Sequence, residues 1–411
     1  MMKVLYFTQF YAPEATAGSF RATEQSRFWA KMGHQVTVFT GYPNYPTGQV
    51  FDGYQVKLLD EERMDGVRVL RSKLMARDSR SLMNRLANGM SFFFFGLVNL
   101  CVHARRIGND HDVVLGTSGM VMTALLAWLH AAAHRLPFVL ELRDVTYRQM
   151  MATGKSGRSW SVRAMKWLEL FLCKRAQQVV VVTDGFKELL TGEGIPAEKI
   201  EVITNGVDIP ETGVKRENQH ALVLGYFGTL GISQSIVDTL AYARCIAECV
   251  DGFRYLIIGE GAQRERMEQA LSTGTYSFVE LMRGMPAEAL EPYYQQTLLS
   301  VAKLKKSDDF RYTLPSKIFQ IMGRGIAVLF IGPEGEAAEL IRTYHAGLVL
   351  CGTIAEDMKS LQIFFNQPDW REQLIQMGAN GRAAVQSHFQ RSCLSKRYAA
   401  LLEQVKTNMK S

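Results

Sequence analysis

Short apolar runs alternate with segments whose apolar positions recur every three to four residues along nearly the whole 411-residue chain. In the first half the runs are VLYFT (4–8), QVTVFT (35–40), VRVLR (67–71), DVVLGTS (112–118), PFVLELRD (137–144), QVVVVT (178–183) and IEVITNGV (200–207). Their length and branched aliphatic content predict buried strands, and the segments between them, such as Phe20 to Met32 before Gly33, predict amphipathic helices. Apolar strands joined through helices specify a parallel sheet covered on both faces. The polar stretch 208-DIPETGVKRENQH-220 has no period and reads as a linker. The alternation restarts at ALVLGYFGTLG (221–231) and runs on through FRYLIIGEG (253–261), SFVELMRGM (277–285), LLSVAKLK (298–305), IAVLFIG (326–332) and AGLVLCG (346–352). A chain this long exceeds one ordinary core. The expectation is an α/β protein of two doubly wound domains, residues 1–208 and 209–385, facing across a cleft. The tail 370–410 reads as helical with a break at 378-GANG-381.

Composition narrows the class. An apolar fraction of 47% with 21% charged residues is that of a globular chain. The net charge of +7 is unevenly spread, with Arg68, Arg71, Lys73, Arg77, Arg80, Arg85, Arg105 and Arg106 in one region. Such a bias favours nucleotide phosphates or a lipid surface. The motifs of nucleic-acid binding are missing, so no nucleic-acid partner is expected. The six cysteines are scattered, which suggests neither disulfides nor a metal site. The N-terminus enters a strand directly, without a basic leader, and a cytosolic protein is expected. The run 90-MSFFFFGLVNLCVHA-104 is shorter than the ~20 residues that span a bilayer. It is either a core helix or an interfacial helix whose Phe cluster dips into lipid beside basic flanks.

Candidate chemistry sits where strands end. After the first strand, 11-YAPEATAGSFR-21 offers Gly18 for close backbone approach and Ser19 and Arg21 for an anion, though a plain strand-to-helix connection uses glycine too. The stretch 225-GYFGTLGISQS-235 repeats that geometry, and 259-GEGAQRER-266 carries Arg264 where a dinucleotide motif has its third glycine. The tripeptide 154-GKS-156 lacks the rest of a phosphate loop. In 312-YTLPSKIFQIMGRGIAVLF-330, Pro315 suits a helix start, leaving the Ser316 and Lys317 N–H groups free at its positive end. Lys305, Lys306 and Lys317 would gather there as a phosphate site; alternatively, they are solvated surface lysines. Asp144 ends a buried strand beside Arg143, where it either faces a ligand or pairs with that arginine. Glu334 and Glu336 follow a later strand, and Glu336 suits a first helical turn.

In order and spacing, YAPE…AGSFR, GHQVTVFTGYPNYPTG, FVLELRD, VITNGVD, YFGTLGISQS, LIIGEGAQRERM, LPSKIFQIMGRGIAV and GEAAELI resemble the retaining glycosyltransferases of family 4. Those enzymes have the GT-B fold of two facing Rossmann-like domains with a deep cleft. GYPNYPTG together with LPSK resembles O-antigen and capsule enzymes, notably those that transfer N-acetyl-L-fucosamine. The resemblance implies a nucleotide-sugar donor on the second domain, a lipid-linked saccharide acceptor on the first, and a last helix, 386–411, that packs back on the first domain. It implies a cytoplasmic enzyme held at the inner membrane surface, with a UDP-sugar as substrate, no cofactor and no metal. Carried over by motif, Gly18 approaches the donor phosphates or acceptor, Gly228 and Thr229 line the phosphate site, and Gly259, Gly261 and Met285 border the base. Thr313, Leu314 and Ser316 present backbone donors, while Lys305 and Lys317 neutralise the leaving group. Asp144 is the side-chain candidate for a base. The family's paired glutamates fall here on Tyr312 and Gln320, and its phosphate-binding Arg and Lys on Thr229 and Gln234. A non-hydrolysing UDP-sugar epimerase or a non-catalytic sugar-nucleotide binder are the competing readings.

Overall fold

The computed structural model describes residues 1–14, 16–78, 82–152, 156–209, 221–231 and 234–408. Contacts divide the chain into Met1–Thr204 with Ser392–Ser411, and Asn205–Arg391. The divisions fall after Thr204 and Arg391, where the alternation of the sequence placed the first after residue 208 and the family resemblance the second after residue 385. Most of the linker expected at 208–220, together with Arg80 and the first two residues of GKS, lies outside the described residues.

The first unit is built on β1 (Lys3–Phe7), β2 (Gln35–Gly41), β3 (Leu59–Met64), β4 (Val67–Ser72), β5 (Val113–Thr117), β6 (Phe138–Leu142), β7 (Gln178–Val181) and β8 (Ile200–Val202). Their order in the sheet is β3-β4-β2-β1-β5-β6-β7-β8, parallel except for β3 against β4. Seven of these strands are the apolar runs of the sequence. β3, LDEERM, escapes that pattern because it is an edge strand, and charge on an edge is tolerated and useful. Its Glu61 pairs with Arg68 and Arg106, and the Arg68 hydrogen bond holds the Glu61 carboxyl down at about 2. Its Glu62 pairs with the fully buried Arg71. Three members of the basic region are thereby committed to the fold.

The last helix, Arg391–Asn408, lies within the first unit beyond Arg391. Trp29 donates its indole N–H to the Ser395 carbonyl at 3.1 Å and stands edge-on to Tyr398, with ring centroids 5.3 Å apart. The helix Leu82–Val102 starts well before the Phe cluster, so Met83–Val102 is long and apolar enough to cross a membrane, unlike the shorter run read from sequence. One side of it belongs to the core: Phe92 is fully buried, and Asn99 donates to the Leu58 carbonyl and the Ser72 hydroxyl.

The second unit holds β9 (Val223–Phe227), β10 (Arg254–Ile258), β11 (Val279–Met282), β12 (Leu299–Lys303), β13 (Ala327–Ile331) and β14 (Gly347–Leu350), all parallel in the order β11-β10-β9-β12-β13-β14. The predicted break at GANG is absent. One helix runs from Trp370 to Ala384 through both glycines, and the chain turns instead at a π-helical stretch, Val385–Phe389. A Cβ on Gly378 would lie 2.2 Å from the Gly325 carbonyl oxygen, and one on Gly381 would press on Met322. These glycines let the helix pack closely; they do not end it.

Candidate active site

In the second unit the carboxyl ends of β9 and β10 meet through glycine. Gly228, at φ +140°, follows β9; a Cβ on Gly259, after β10, would fall 1.8 Å from the Gly228 carbonyl oxygen. Gly261, at φ +153°, is equally tight against Leu230. No side chain fits at either place, so bare backbone faces outward from the sheet end. Arg264 staples these turns, donating to the carbonyls of Gly259 (2.9 Å) and Met282 (3.1 Å). It therefore replaces a third glycine with a clamp.

The helix Ser316–Gly323 begins beside them, with Pro315 at its N-cap and not, as expected, inside its first turn. The Pro315 carbonyl takes the Ile318 N–H at 3.0 Å, and no side chain caps the end. Among the described residues the Ser316 and Lys317 N–H groups have no acceptor. Thr313 does not keep its expected role as a backbone donor, because its N–H is spent on the Phe310 carbonyl; Leu314 and Ser316 retain theirs. The Lys317 ammonium rests 3.4 Å above the centre of the Tyr226 ring and 3.0 Å from where a Gly228 Cβ would stand. No carboxylate faces it among the described residues, and burial pulls its pKa down to about 7. A partly buried cation without a counter-ion, two free N–H groups and a positive helix end make a place for an anion.

The other sites read from sequence are distributed as follows. Lys305 follows β12 on the surface; its carbonyl accepts the Ser307 N–H at 2.9 Å, and its ammonium has no partner among the described residues. Lys306 is withdrawn from the phosphate set, since it pairs with the buried Asp357 and donates to the Gly352 carbonyl. The Thr229 carbonyl accepts from the Tyr226 hydroxyl. Met285 packs partly buried against the cluster containing Phe227 and Tyr294. Gln320 lies one turn beyond Lys317 with its side-chain amide unbonded among the described residues. Glu334 makes a two-pronged pair with Arg342, which holds its carboxyl below the usual range. Glu336 opens a helix by donating its N–H to the Arg311 carbonyl at 2.9 Å.

In the first unit Gly18 lies in the first turn of the helix Ala17–Lys31, where a Cβ would come within 3.3 Å of the Arg143 guanidinium. The Nε of Arg143 is buried without a partner. Asp144 is exposed, yet desolvation prevails over the pull of the Arg143 charge and holds its carboxyl above the usual range. Two expectations fail here. Ser19 is buried, and Arg21 is spent inside the unit, bonded to Glu141 at 2.7 Å and to the carbonyls of Ile203 and Thr204. Glu141 also accepts from the Tyr6 hydroxyl at 3.0 Å. Burial pushes its carboxyl up, but the adjacent Arg21 charge prevails and holds it below the usual range. The acidic residue inside the apolar run FVLEL is the signal that sequence reasoning passed over. Glu14 of YAPE is similarly internal, accepting the N–H groups of Asn44 (2.9 Å) and Tyr45 (3.0 Å) and so latching YAPE to GYPNYPTG. Among the described residues no three His, Cys, Asp or Glu side chains gather to hold a metal.

These two units have known counterparts, and the family model named Glycosyl transferase 4-like domain matches residues 18–206. That match spans 189 of the 411 residues. Joined to a second doubly wound unit, the domain gives the chain the GT-B fold, and its enzyme class is glycosyltransferase. The chain is 21% identical over 376 residues to WcaI of Escherichia coli (strain K12), named as a colanic acid biosynthesis glycosyl transferase; the alignment covers 85% of this chain and 88% of that one. It superposes on sucrose-phosphate synthase from Thermosynechococcus elongatus with TM-score 0.72 at 14% identity, covering 99% and 100% of the two chains. Anabaena HepE in complex with UDP and glucose superposes with TM-score 0.66 at 12% identity, covering 98% and 100%. WaaG, a glycosyltransferase involved in lipopolysaccharide biosynthesis, does so with TM-score 0.64 at 16% identity, covering 97% and 99%.

Proposed function

We propose that the protein is a retaining, metal-independent glycosyltransferase that moves a sugar from a UDP-sugar bound on the second unit to a polyprenyl-diphosphate-linked saccharide at the cytosolic membrane face. The product would enter O-antigen or capsular polysaccharide, and N-acetyl-L-fucosamine is the sugar suggested by GYPNYPTG and LPSK. The observation that carries this reading is the uncapped helix end at Ser316, with the Lys317 ammonium over Tyr226 beside the bare Gly228 turn. Such a site suits a diphosphate, whose growing negative charge as the sugar departs is stabilised by fixed dipoles and a cation. The names of WcaI and WaaG and the UDP complex of HepE support the polysaccharide setting and the nucleotide. Lys305, at the end of β12, supplies a second cation, and Gln320 an amide oxygen for a ribose hydroxyl. The departing phosphate serves as base toward the acceptor hydroxyl, and Asp144 is the side chain held in reserve for that role.

A thermal-shift screen with UDP, GDP, ADP and NAD tests the donor site. Stabilisation by UDP is expected, and stabilisation by NAD alone would refute the reading. Release of free UDP that depends on added lipid-linked acceptor separates an enzyme from a binder.

A further inference from the structure

Beyond the carboxyl ends of β1 and β2 in the first unit, the side-chain amides of Gln9, Asn88 and Asn44 form a buried chain of hydrogen bonds whose direction is fixed. The Tyr42 carbonyl can only accept, so Asn44 presents its amide nitrogen to it at 2.9 Å. The Asn44 oxygen then takes the Asn88 nitrogen at 2.8 Å, and the Asn88 oxygen takes the Gln9 nitrogen at 2.8 Å. That order leaves the Gln9 Oε1 as the last acceptor. Gln9 is 5% exposed, and this oxygen is buried with no donor among the described residues. A buried acceptor without a donor is costly, so the place calls for an N–H or an O–H.

Unpaired donors stand next to it. The helix Val121–His134 follows β5, the neighbour of β1 in the sheet, and no side chain caps its start at Met120. Among the described residues the Val121 and Met122 N–H groups have no acceptor. Just ahead of them Ser118 is 2% exposed with its hydroxyl unpartnered, and a Cβ on Gly119 would meet only open space. Gly89 brings the two sides together: a Cβ there would lie 3.6 Å from the Gln9 Oε1 and would press on the Met120 methyl group. An acceptor, an apolar step and a set of donors are thus placed side by side. An anion would suit the helix start but would set its charge against the Gln9 oxygen. A secondary amide has its N–H and C=O on opposite edges, so its N–H can reach Gln9 and its carbonyl the helix start, with a methyl group against Met120.

We propose that Gln9, Ser118 and the start of the helix Val121–His134 form a subsite for the acetamido group of a 2-acetamido sugar in the acceptor. The proposal names the acceptor's sugar class and rests on the reading of the chain as a transferase that takes a lipid-linked saccharide, although the two can fail separately. Short-chain polyprenyl diphosphates carrying N-acetylglucosamine or glucose are titrated into the full chain by calorimetry without donor, and melting temperature and UDP response are recorded in parallel. Wild type should bind the acetamido compound about tenfold tighter, because the glucose compound leaves the Gln9 oxygen unpaired. Its acetyl methyl should carry the strongest saturation transfer by NMR. Gln9→Met should bring the acetamido compound down to the level of the glucose compound, with glucose binding and the UDP response unchanged. Should Gln9→Met not fold, Gly89→Ala decides. Alanine suits a helix and the end of the Met120 side chain can yield, so the fold is kept, while the added methyl beside the Gln9 oxygen should cut the preference about fivefold. Equal binding of the two sugars by wild type overturns the proposal, as does a preference that survives the deciding variant. A chain that responds to UDP and binds neither compound overturns it and keeps the donor site. Preference for the acetamido compound without any UDP response upholds the subsite and refutes the donor site.

Discussion

Replacing Lys317 with methionine should make the protein more stable and its nucleotide site weaker at once. Burial holds the ammonium at about 7, against 10.5 for an ordinary lysine, a difference worth roughly 5 kcal/mol at ~1.36 kcal/mol per pH unit. The Tyr226 face returns about 2 kcal/mol of this, and water reaches part of the side chain, so the net cost of the charge is about 1–3 kcal/mol. Methionine fills the same space over the ring without that cost. In the unfolded chain the lysine titrates at its ordinary value and in the folded protein near 7. Between those values the unfolded chain binds more protons, so wild-type stability rises with pH. The gain of the variant is therefore complete below pH 7, shrinks through the window and disappears above 10.5. Thermal melting across that range should show the variant ahead by about 2–4 °C per kcal/mol at the acid end. Calorimetric titration should show UDP binding about 10- to 100-fold weaker, the worth of a hydrogen bond to a charged group. A lower melting temperature would mean that the amine has a buried counter-charge, and unchanged UDP affinity would remove Lys317 from the phosphate site. Either result refutes the reasoning.

Glu141→Gln leaves the Arg21 guanidinium buried without its counter-charge and should cost about 3–5 kcal/mol, seen as a lower urea midpoint with an unchanged slope. Because that carboxyl titrates below its ordinary value when folded, the pair's contribution is present at neutral pH and fades as pH falls through the acid range. Gly378→Ala would raise stability by about 1 kcal/mol if the glycine merely weakened a helix. Its Cβ would meet the Gly325 carbonyl at 2.2 Å, so thermal melting should instead record a loss of about 1–3 kcal/mol. Gln320→Glu should tighten UDP about fivefold by giving a ribose hydroxyl a charged acceptor; unchanged affinity would place Gln320 away from the ribose.

Most of the architecture was legible because a parallel strand buried on both faces has to be apolar along its length. All the strands of the second unit were visible in this way, and in the first unit only β3, whose polar face lies at the sheet edge, was not. The glycine positions were legible as special, yet their reasons were not uniform. Gly228, Gly259 and Gly261 bring backbones together at the strand ends, as their place after strands suggests. Gly378 and Gly381 look like a helix stop and serve close packing, a distinction that depends on what lies across from them and not on their neighbours in sequence. The polar residues were read least well. Arg21, Lys306 and Arg71 each looked like a cation available to a ligand, and each is spent on a carboxylate or carbonyl inside its own unit.

Hydrophobic periodicity along the chain was enough to determine two doubly wound units and the strands that end at the glycine turns, while Pro315 marked the helix start beside them. The reason is that burial acts residue by residue and leaves its period in the local pattern. Which cations remain free was decided only in three dimensions. A lysine's partner is set by contacts between residues far apart in the chain: Lys306 finds Asp357, whereas Lys317 finds the face of Tyr226.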